Sequence, residues 1–488
     1  MRGDTRWPLP SVTHQTEVVI AGGGVAGLAA ARALGQKGRE DFVLLELEDE
    51  AGGNSRGGLI EGVPCPLAAH YLPLPGDDAP EVQDLLEELG LRQRVAGRWT
   101  YDDRHLCHSP QERLFFNGHW QDGLLPLQGV GQDTLNAYQK FAQLVTQARA
   151  QARWSIPASK HPLAHIHKAL AAITFAAYLD QKGLTDTHLR WYLDYCCRDD
   201  YGAGIATVSA WAGIHYFASR HGFAVPGHET NEREGLLTWP EGNAWLTRRL
   251  ATPLGSRLHC GQVVLRIASL KHGVEVDALN TRTQAVERWQ ARRAIVALPV
   301  FVAARVLENP PDWLLQAAAR TVYAPWLVAN IHIRSPLQDR PGAPPSWDSV
   351  IYDSQATTAG LGYVDALHQN LQSVPGATVL THYRALGDHK APGMAPGAAG
   401  RQLLLSQSWQ HWRDTILAEL AQPHPDMAAK VTRIDITRYG HAMAVPIPYS
   451  LDENRLWRTD QKDLSLLQSK QFALSHERVR FAHSDWAG

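Results

Sequence analysis

Cysteine is scarce in this 488-residue chain, and net charge is close to zero. Five cysteines, none spaced as CxxC, exclude a disulfide scaffold and a zinc ribbon. Lys and Arg total 47 against 49 Asp and Glu, so there is no basic footprint for nucleic acid or an anionic membrane surface. Long apolar runs are missing too. Leu170–Leu179 and Ala294–Ala304 reach about half a membrane span, and the second contains Pro299, so no span is expected. Met1–Gln15 is polar, contains proline and lacks the apolar stretch of a secretory leader. A soluble protein is therefore expected, cytoplasmic, or periplasmic had a leader been removed. No internal repeat is visible. His161, His165 and His167 lie close together, but without HExxH or a nearby cysteine pair no metal is expected. What remains is 44% hydrophobic and 20% charged, an ordinary globular composition sized for two to four structural units. Its 16 tryptophans suit an enclosed aromatic pocket as well as a large core.

The informative stretch comes first. Glu17–Ala21 is a short β-branched run that reads as a buried strand, Ala26–Gln36 as a helix rich in Ala and Leu, and Asp41–Leu47 as a second strand. Between the first two lies Gly22-Gly23-Gly24-Val25-Ala26-Gly27. Gly22 permits the tight turn, Gly24 lets backbone approach a pyrophosphate, and Gly27 lets the helix pack close to the sheet. Gly24, Val25 and Ala26 then present helix N-terminal N–H groups to phosphate. Glu46, 19 residues beyond Gly27, is placed for a ribose 2′-hydroxyl and would disfavour a 2′-phosphate. Strand, helix, strand and acid in register point to a bound dinucleotide.

Gly52-Gly53-Asn54-Ser55-Arg56-Gly57-Gly58 follows directly. With this second glycine pair the chain resembles the FAD-dependent amine oxidase superfamily, which includes monoamine and polyamine oxidases and carotenoid desaturases. The resemblance implies FAD, with the pair running along its phosphates and ribityl chain. Asn54 stands where the family commonly has Arg, leaving Arg56 for the phosphate-facing role. Ala69-His70-Tyr71 is similar to the stretch that passes the flavin ring, and Trp239–Leu246 to a turn leading into a helix. Gly261–Ile267 resembles the strand that touches adenine, with Val264 the implied contact. Ala291–Pro299 resembles the strand returning to the nucleotide sheet. Arg480–Asp485 resembles the closing Phe-Ala-Gly-acid motif, with His483 replacing the glycine and Asp485 or Ser484 left as the ribityl contact. The lysine that many amine oxidases carry is absent from Trp326–Ile331, where Asn330 is the candidate to hold the corresponding water.

These matches imply an α/β fold: a Rossmann-like FAD-binding domain in three segments, 11–75, 235–305 and 436–488, with a second, α+β substrate domain or helical cap from 76–234 and 306–435. Helices are expected over Ala79–Leu89, Gln132–Trp154, Pro162–Lys182, Asp186–Arg198, Ser209–His221 and Ser408–Leu420. Strands are expected over Leu327–Ile333, Thr378–Tyr383 and Arg433–Arg438, the last broken by Gly440. His70, Tyr71, Tyr383, Trp409, Tyr439 and His441 are the candidates for a substrate pocket facing the flavin. The implied function is an FAD-dependent oxidoreductase of amine oxidase type. It would take a hydride from a C–N or C–H centre of a small organic substrate, with oxygen or another acceptor reoxidising the flavin. One alternative is a carotenoid or phytoene desaturase- or isomerase-like flavoprotein. Another is a binding protein that keeps the fold without efficient flavin chemistry, motivated by the missing lysine and by the sequence stopping at Gly488.

Overall fold

The opening run of the chain folds as its pattern dictates. Val12–Ala21 is strand β1, Val25–Gln36 helix α1 and Phe42–Glu46 strand β2. Val18 to Ala21 are buried, as a strand inside a parallel sheet requires. The computed structural model describes residues 8–108, 110–225, 235–353, 360–368, 370, 374–449 and 475–486.

The chain divides into two compact units. The first takes residues up to Arg56, then Asn243–Thr321, then the described residues 475–486. Its sheet runs in the order Leu258–Cys260, β2, β1, Val286–Val296, Val274–Asn280, Gln262–Ser269. The pairs among the first four of these strands are parallel, and the last three form an antiparallel meander. Val286–Val296 is long enough to take two neighbours on one side. Val286–Ala291 pairs with the meander, and Ala294–Val296 pairs in parallel with Val479–Phe481. Helices Val300–Val306 and Asp312–Arg320 bury Val300, Ala303, Val306, Leu314 and Ala317 in the core shared with this sheet.

The second unit takes Gly57–Gly242 and the chain from Val322 through Tyr449. Its seven-stranded sheet runs Val431–Ala444, Tyr323–Ile333, Thr378–Ala385, Tyr363–Asp365, Asp348–Ile351, Glu112–Phe116, His119–Asp122. All eleven residues of Tyr323–Ile333 are buried because both faces are covered. Leu327, Ala329, Ile331 and Ile333 pack with Leu404, Trp412, Ile416 and Leu420 of helices Ala398–Ser406 and Trp409–Leu420. Trp326 and Val328, facing the other way, join the core of Gln132–Gln151, Thr187–Tyr201 and Ala210–Ala218.

Several expectations need correction. The first crossing between units falls at Arg56 rather than residue 75, because Gly57–Ile60 and Val63–Pro66 form a hairpin that belongs with the second sheet. The chain re-enters the first unit at Asn243 rather than 235, since Leu236–Thr238 pairs with Tyr71–Pro73. It leaves at Thr321 rather than 305, carrying the two helices described above. The strand expected at Arg433–Arg438 runs from Val431 to Ala444 against Tyr323–Ile333, so it stays in the second unit beyond residue 436. Gly440 does not break it, and the Gly440 carbonyl accepts from Arg401 Nε at 2.8 Å. Pro162–Lys182 is two helices, His165–Ala171 and Phe175–Gln181, because Thr174 Oγ1 caps the second by accepting from the Ala177 N–H. Among the described residues no helix is long and apolar enough to cross a membrane. Also among them, no group of three or more His, Cys, Asp or Glu could hold a metal, and His161 is paired with Asp78.

Candidate active site

In the first unit the glycines divide their work. Gly22 has φ +103°, its N–H donates to the Leu45 carbonyl at 2.8 Å, and a Cβ there would lie 2.4 Å from the Ala297 oxygen. A Cβ on Gly27 would lie 1.9 Å from the Gly22 oxygen. Both glycines therefore let main chains meet. Gly24 differs: a Cβ there would find only the Gly53 Cα, at 4.0 Å, so the space is open. Gly24 is the N-cap of α1 in extended geometry, no side chain caps the helix, and its first turn carries no acid. The amides of Val25, Ala26 and Gly27 at this uncapped end suit an anion.

The second glycine pair lies against the first. Gly52 bridges Gly24, its N–H donates to the Gly23 carbonyl at 2.8 Å, and the pair needs φ of +138° and +57° at Gly52 and Gly53. Arg56, expected to face phosphate, donates from Nε to the Gly53 carbonyl at 3.2 Å and pairs with Glu48 at 3.3 Å. It holds the turn, and Asn54 is exposed on it. Thr247 donates to the Ser55 carbonyl at 3.0 Å from the next segment of the unit. No sequence signal marked Thr247.

Glu46 is 7% exposed and accepts from the Gly23 N–H at 2.6 Å and the Glu48 N–H at 2.8 Å. Burial raises its pKa, and these two hydrogen bonds pull against that rise. Val264 is buried with Val19, Ala21 and Leu45. Asp485 Oδ2 accepts from the Val300 N–H at 3.0 Å, and its Oδ1 lies 3.2 Å from His483 Nδ1. Both contacts hold the carboxylate at the start of helix Val300–Val306, and each oxygen keeps a further lone pair. An open Gly24, an uncapped helix N-terminus and a buried acid at the end of β2 together fit the pyrophosphate and ribose of FAD.

The second unit gathers most of the expected aromatic residues. His70 stacks on Tyr383 with centroids 4.6 Å apart, and lies 5.1 Å from Tyr71 and 5.4 Å from Trp347. Tyr71 meets Trp347 edge-on at 5.8 Å, and Trp326 meets Tyr383 edge-on at 6.3 Å. His70 keeps some surface, but the protein packed around it pushes its pKa down to about 4. It is neutral at pH 7. Its Nδ1 lies 3.3 Å from the Ala68 carbonyl, so Nδ1 carries the hydrogen and Nε2 the lone pair.

Three neighbouring strands send donors to three consecutive carbonyls beside this cluster. Asn330 Nδ2 donates to Pro66 at 2.9 Å, the Tyr439 hydroxyl to Leu67 at 3.2 Å, and the Tyr383 hydroxyl to Ala68 at 2.9 Å. Asn330 is fully buried and also donates to Thr381 Oγ1 at 2.9 Å. Its Oδ1 is buried without a partner among the described residues, so the position that lacks lysine is built into the sheet. Tyr439 sits mid-strand opposite Trp326, not at a strand end. Trp409 is not in the cluster. It donates to the Ile434 carbonyl at 3.1 Å, on the sheet face covered by its own helix. His441 is exposed, with its ring 5.6 Å from Tyr323.

Two carboxylates that sequence reasoning missed act on Tyr383 of this cluster. Asp348 follows Trp347 and is in register with Glu112 of the adjacent parallel strand. Burial first, then the charges of Asp199 and Glu112, hold Asp348 well above the usual carboxylate range. Asp199, on helix Thr187–Tyr201, is pushed up to about 7, again chiefly by burial. The Tyr383 hydroxyl is raised by burial and, next, by Asp348.

Residues 25–399 match the family described as flavin containing amine oxidoreductase. The chain belongs to that family. Bovine (Bos taurus) amine oxidase [flavin-containing] B is 23% identical over 305 residues, 62% of this chain and 53% of the bovine protein. The match thus spans about half the length of that relative. Among solved structures, wild-type putrescine oxidase bound to putrescine superposes with a TM-score of 0.68 at 17% identity, covering 97% of this chain and 94% of that one. Cyclohexylamine oxidase from Brevibacterium oxydans IH-35A gives 0.64 at 17% identity, covering 97% and 95%. At such identity these likenesses describe the fold. Membership makes the chain a flavoprotein, in keeping with the FAD-shaped features of its first unit.

Proposed function

We propose that this flavoprotein oxidises a small amine at the carbon beside nitrogen, with oxygen as the final electron acceptor. FAD, when bound, supplies the hydride acceptor. The residues of the chain bind the amine and orient it. The observation that carries the reading is the set of rings together with Asp348 and Asp199. A protonated amine is attracted to ring faces and to carboxylates alike, and both carboxylates are otherwise held with raised pKa values. His70, neutral and bonded through Nδ1, offers the Nε2 lone pair as a hydrogen-bond acceptor that orients the amine N–H. A polyene or other uncharged substrate, as a desaturase would take, gives these acids no partner.

Anaerobic mixing tests the reading. Bound flavin should lose its absorbance with aliphatic amines or diamines and keep it with polyenes. Asp348→Asn should raise the half-saturating amine concentration roughly tenfold while the flavin content stays that of the parent. Bleaching by a polyene and by no amine would sink the proposal.

A further inference from the structure

A cavity of about 470 Å³ opens in the first unit, where the end of Gln262–Ser269 and the turn after it approach the middle of Val286–Val296 and the Val479–Phe481 strand. Lys271, Arg293, Arg478 and Arg480 line it, with Glu477 as the one acid. Four cations against one anion leave an excess of three positive charges in one concavity. Like charges gathered this way repel one another unless an anion lies between them.

The cations are not spent on protein carboxylates. Arg478 Nη2 donates to the Lys271 carbonyl at 3.0 Å, fixing that guanidinium to the rim. Arg480 Nη1 donates to the carbonyls of Glu477 and Val479 at 3.2 and 3.1 Å. These bonds anchor both forks and leave further N–H donors on each. The side chains of Arg293 and Lys271 have no acid partner among the described residues. Ser269, also on the wall, has its Oγ buried with no hydrogen-bond partner among the described residues. That hydroxyl is free to hydrogen-bond a polar atom brought into the cavity.

We propose that this cavity is an anion site for a phosphoryl-bearing small molecule, separate from the glycine cradle at Gly24. The volume is that of a small-ligand pocket. One phosphoryl group carries about −1.5 to −2 charges at neutral pH, so a diphosphate matches the excess better than a single carboxylate does. Planar guanidinium forks match phosphate oxygens two at a time. The ligand is either inorganic diphosphate or the diphosphate of a nucleotide, which share this chemistry.

The test uses the FAD-saturated protein, so that the cradle at Gly24 is already filled. Calorimetric titration with sodium pyrophosphate and, separately, with ADP should give one saturable site per chain that weakens as salt rises. Tighter binding of ADP would identify a nucleotide, and tighter binding of pyrophosphate the inorganic ion. Arg293→Gln and Arg480→Gln should each weaken binding roughly tenfold. Arg293→Gln should change neither the Tm nor the flavin content. Lys271→Gln serves as a third variant should Arg480→Gln fold poorly. The absence of a saturable signal with either probe, or unchanged affinity in all the folded variants, would overturn the proposal.

Discussion

The two units solve one problem, holding main chain in an exact place, by opposite means. In the first, glycines remove side chains so that backbones touch: Gly22 against Ala297, Gly27 against Gly22, Gly53 against Gly24. In the second, side chains reach out to grip backbone, as Asn330, Tyr439 and Tyr383 grip Pro66, Leu67 and Ala68. The first device depends on what a residue lacks and the second on what it has. They should therefore fail differently.

Ranked by loss of fold stability, Gly27→Ala comes first. Its Cβ would press on a main-chain oxygen that no rotamer change can move, so we expect about 3 kcal/mol or more, read as a lowered Tm together with lost flavin. Asn330→Ala follows at about 2–3 kcal/mol, because two hydrogen bonds go and buried acceptors are stranded. A denaturant midpoint unchanged from the parent would show that the grip on Pro66 is dispensable. Tyr439→Phe removes one half-buried hydrogen bond and should cost about 1 kcal/mol, with bound flavin at the parental level. Gly24→Ala sharpens the contrast most. The apo fold should change by no more than about 0.5 kcal/mol, since the space is open, while FAD affinity falls at least tenfold. If Gly24→Ala melted as early as Gly27→Ala, the division of labour among the glycines would be wrong.

The same contrast explains what could be read in advance. The β1–α1–β2 unit is encoded within some thirty residues, and its glycine spacing states which contacts are close. The grip on residues 66–68 joins positions far apart in the chain, and nothing local to Asn330 announces Pro66. Asp348 opens a four-residue strand too short for an alternation to show, with Trp347 just before it. Asp348 is set beside Glu112, 236 residues earlier, by strand pairing alone. His70, proposed from the resemblance of Ala69-His70-Tyr71, and Tyr383 and Tyr439, proposed as aromatic residues on strands, lie near one another in the second unit. Trp409 and His441 were candidates too and lie elsewhere, since composition does not say which face of a sheet a residue occupies.

The grip on residues 66–68 also has a consequence for how this stretch of chain can vary. Carbonyls are the same in every amino acid, so the three donors read position and are blind to identity. Leu67 or Ala68 could be exchanged for residues of similar bulk with all three bonds kept. Inserting or deleting one residue between Pro66 and Ala68 would break the register, so that all three carbonyls could no longer meet their donors together. The segment is thus permissive to substitution and intolerant of a change in length. Swapping it with that of a relative should succeed when the residue count is preserved, and fail when it is not, however similar the side chains.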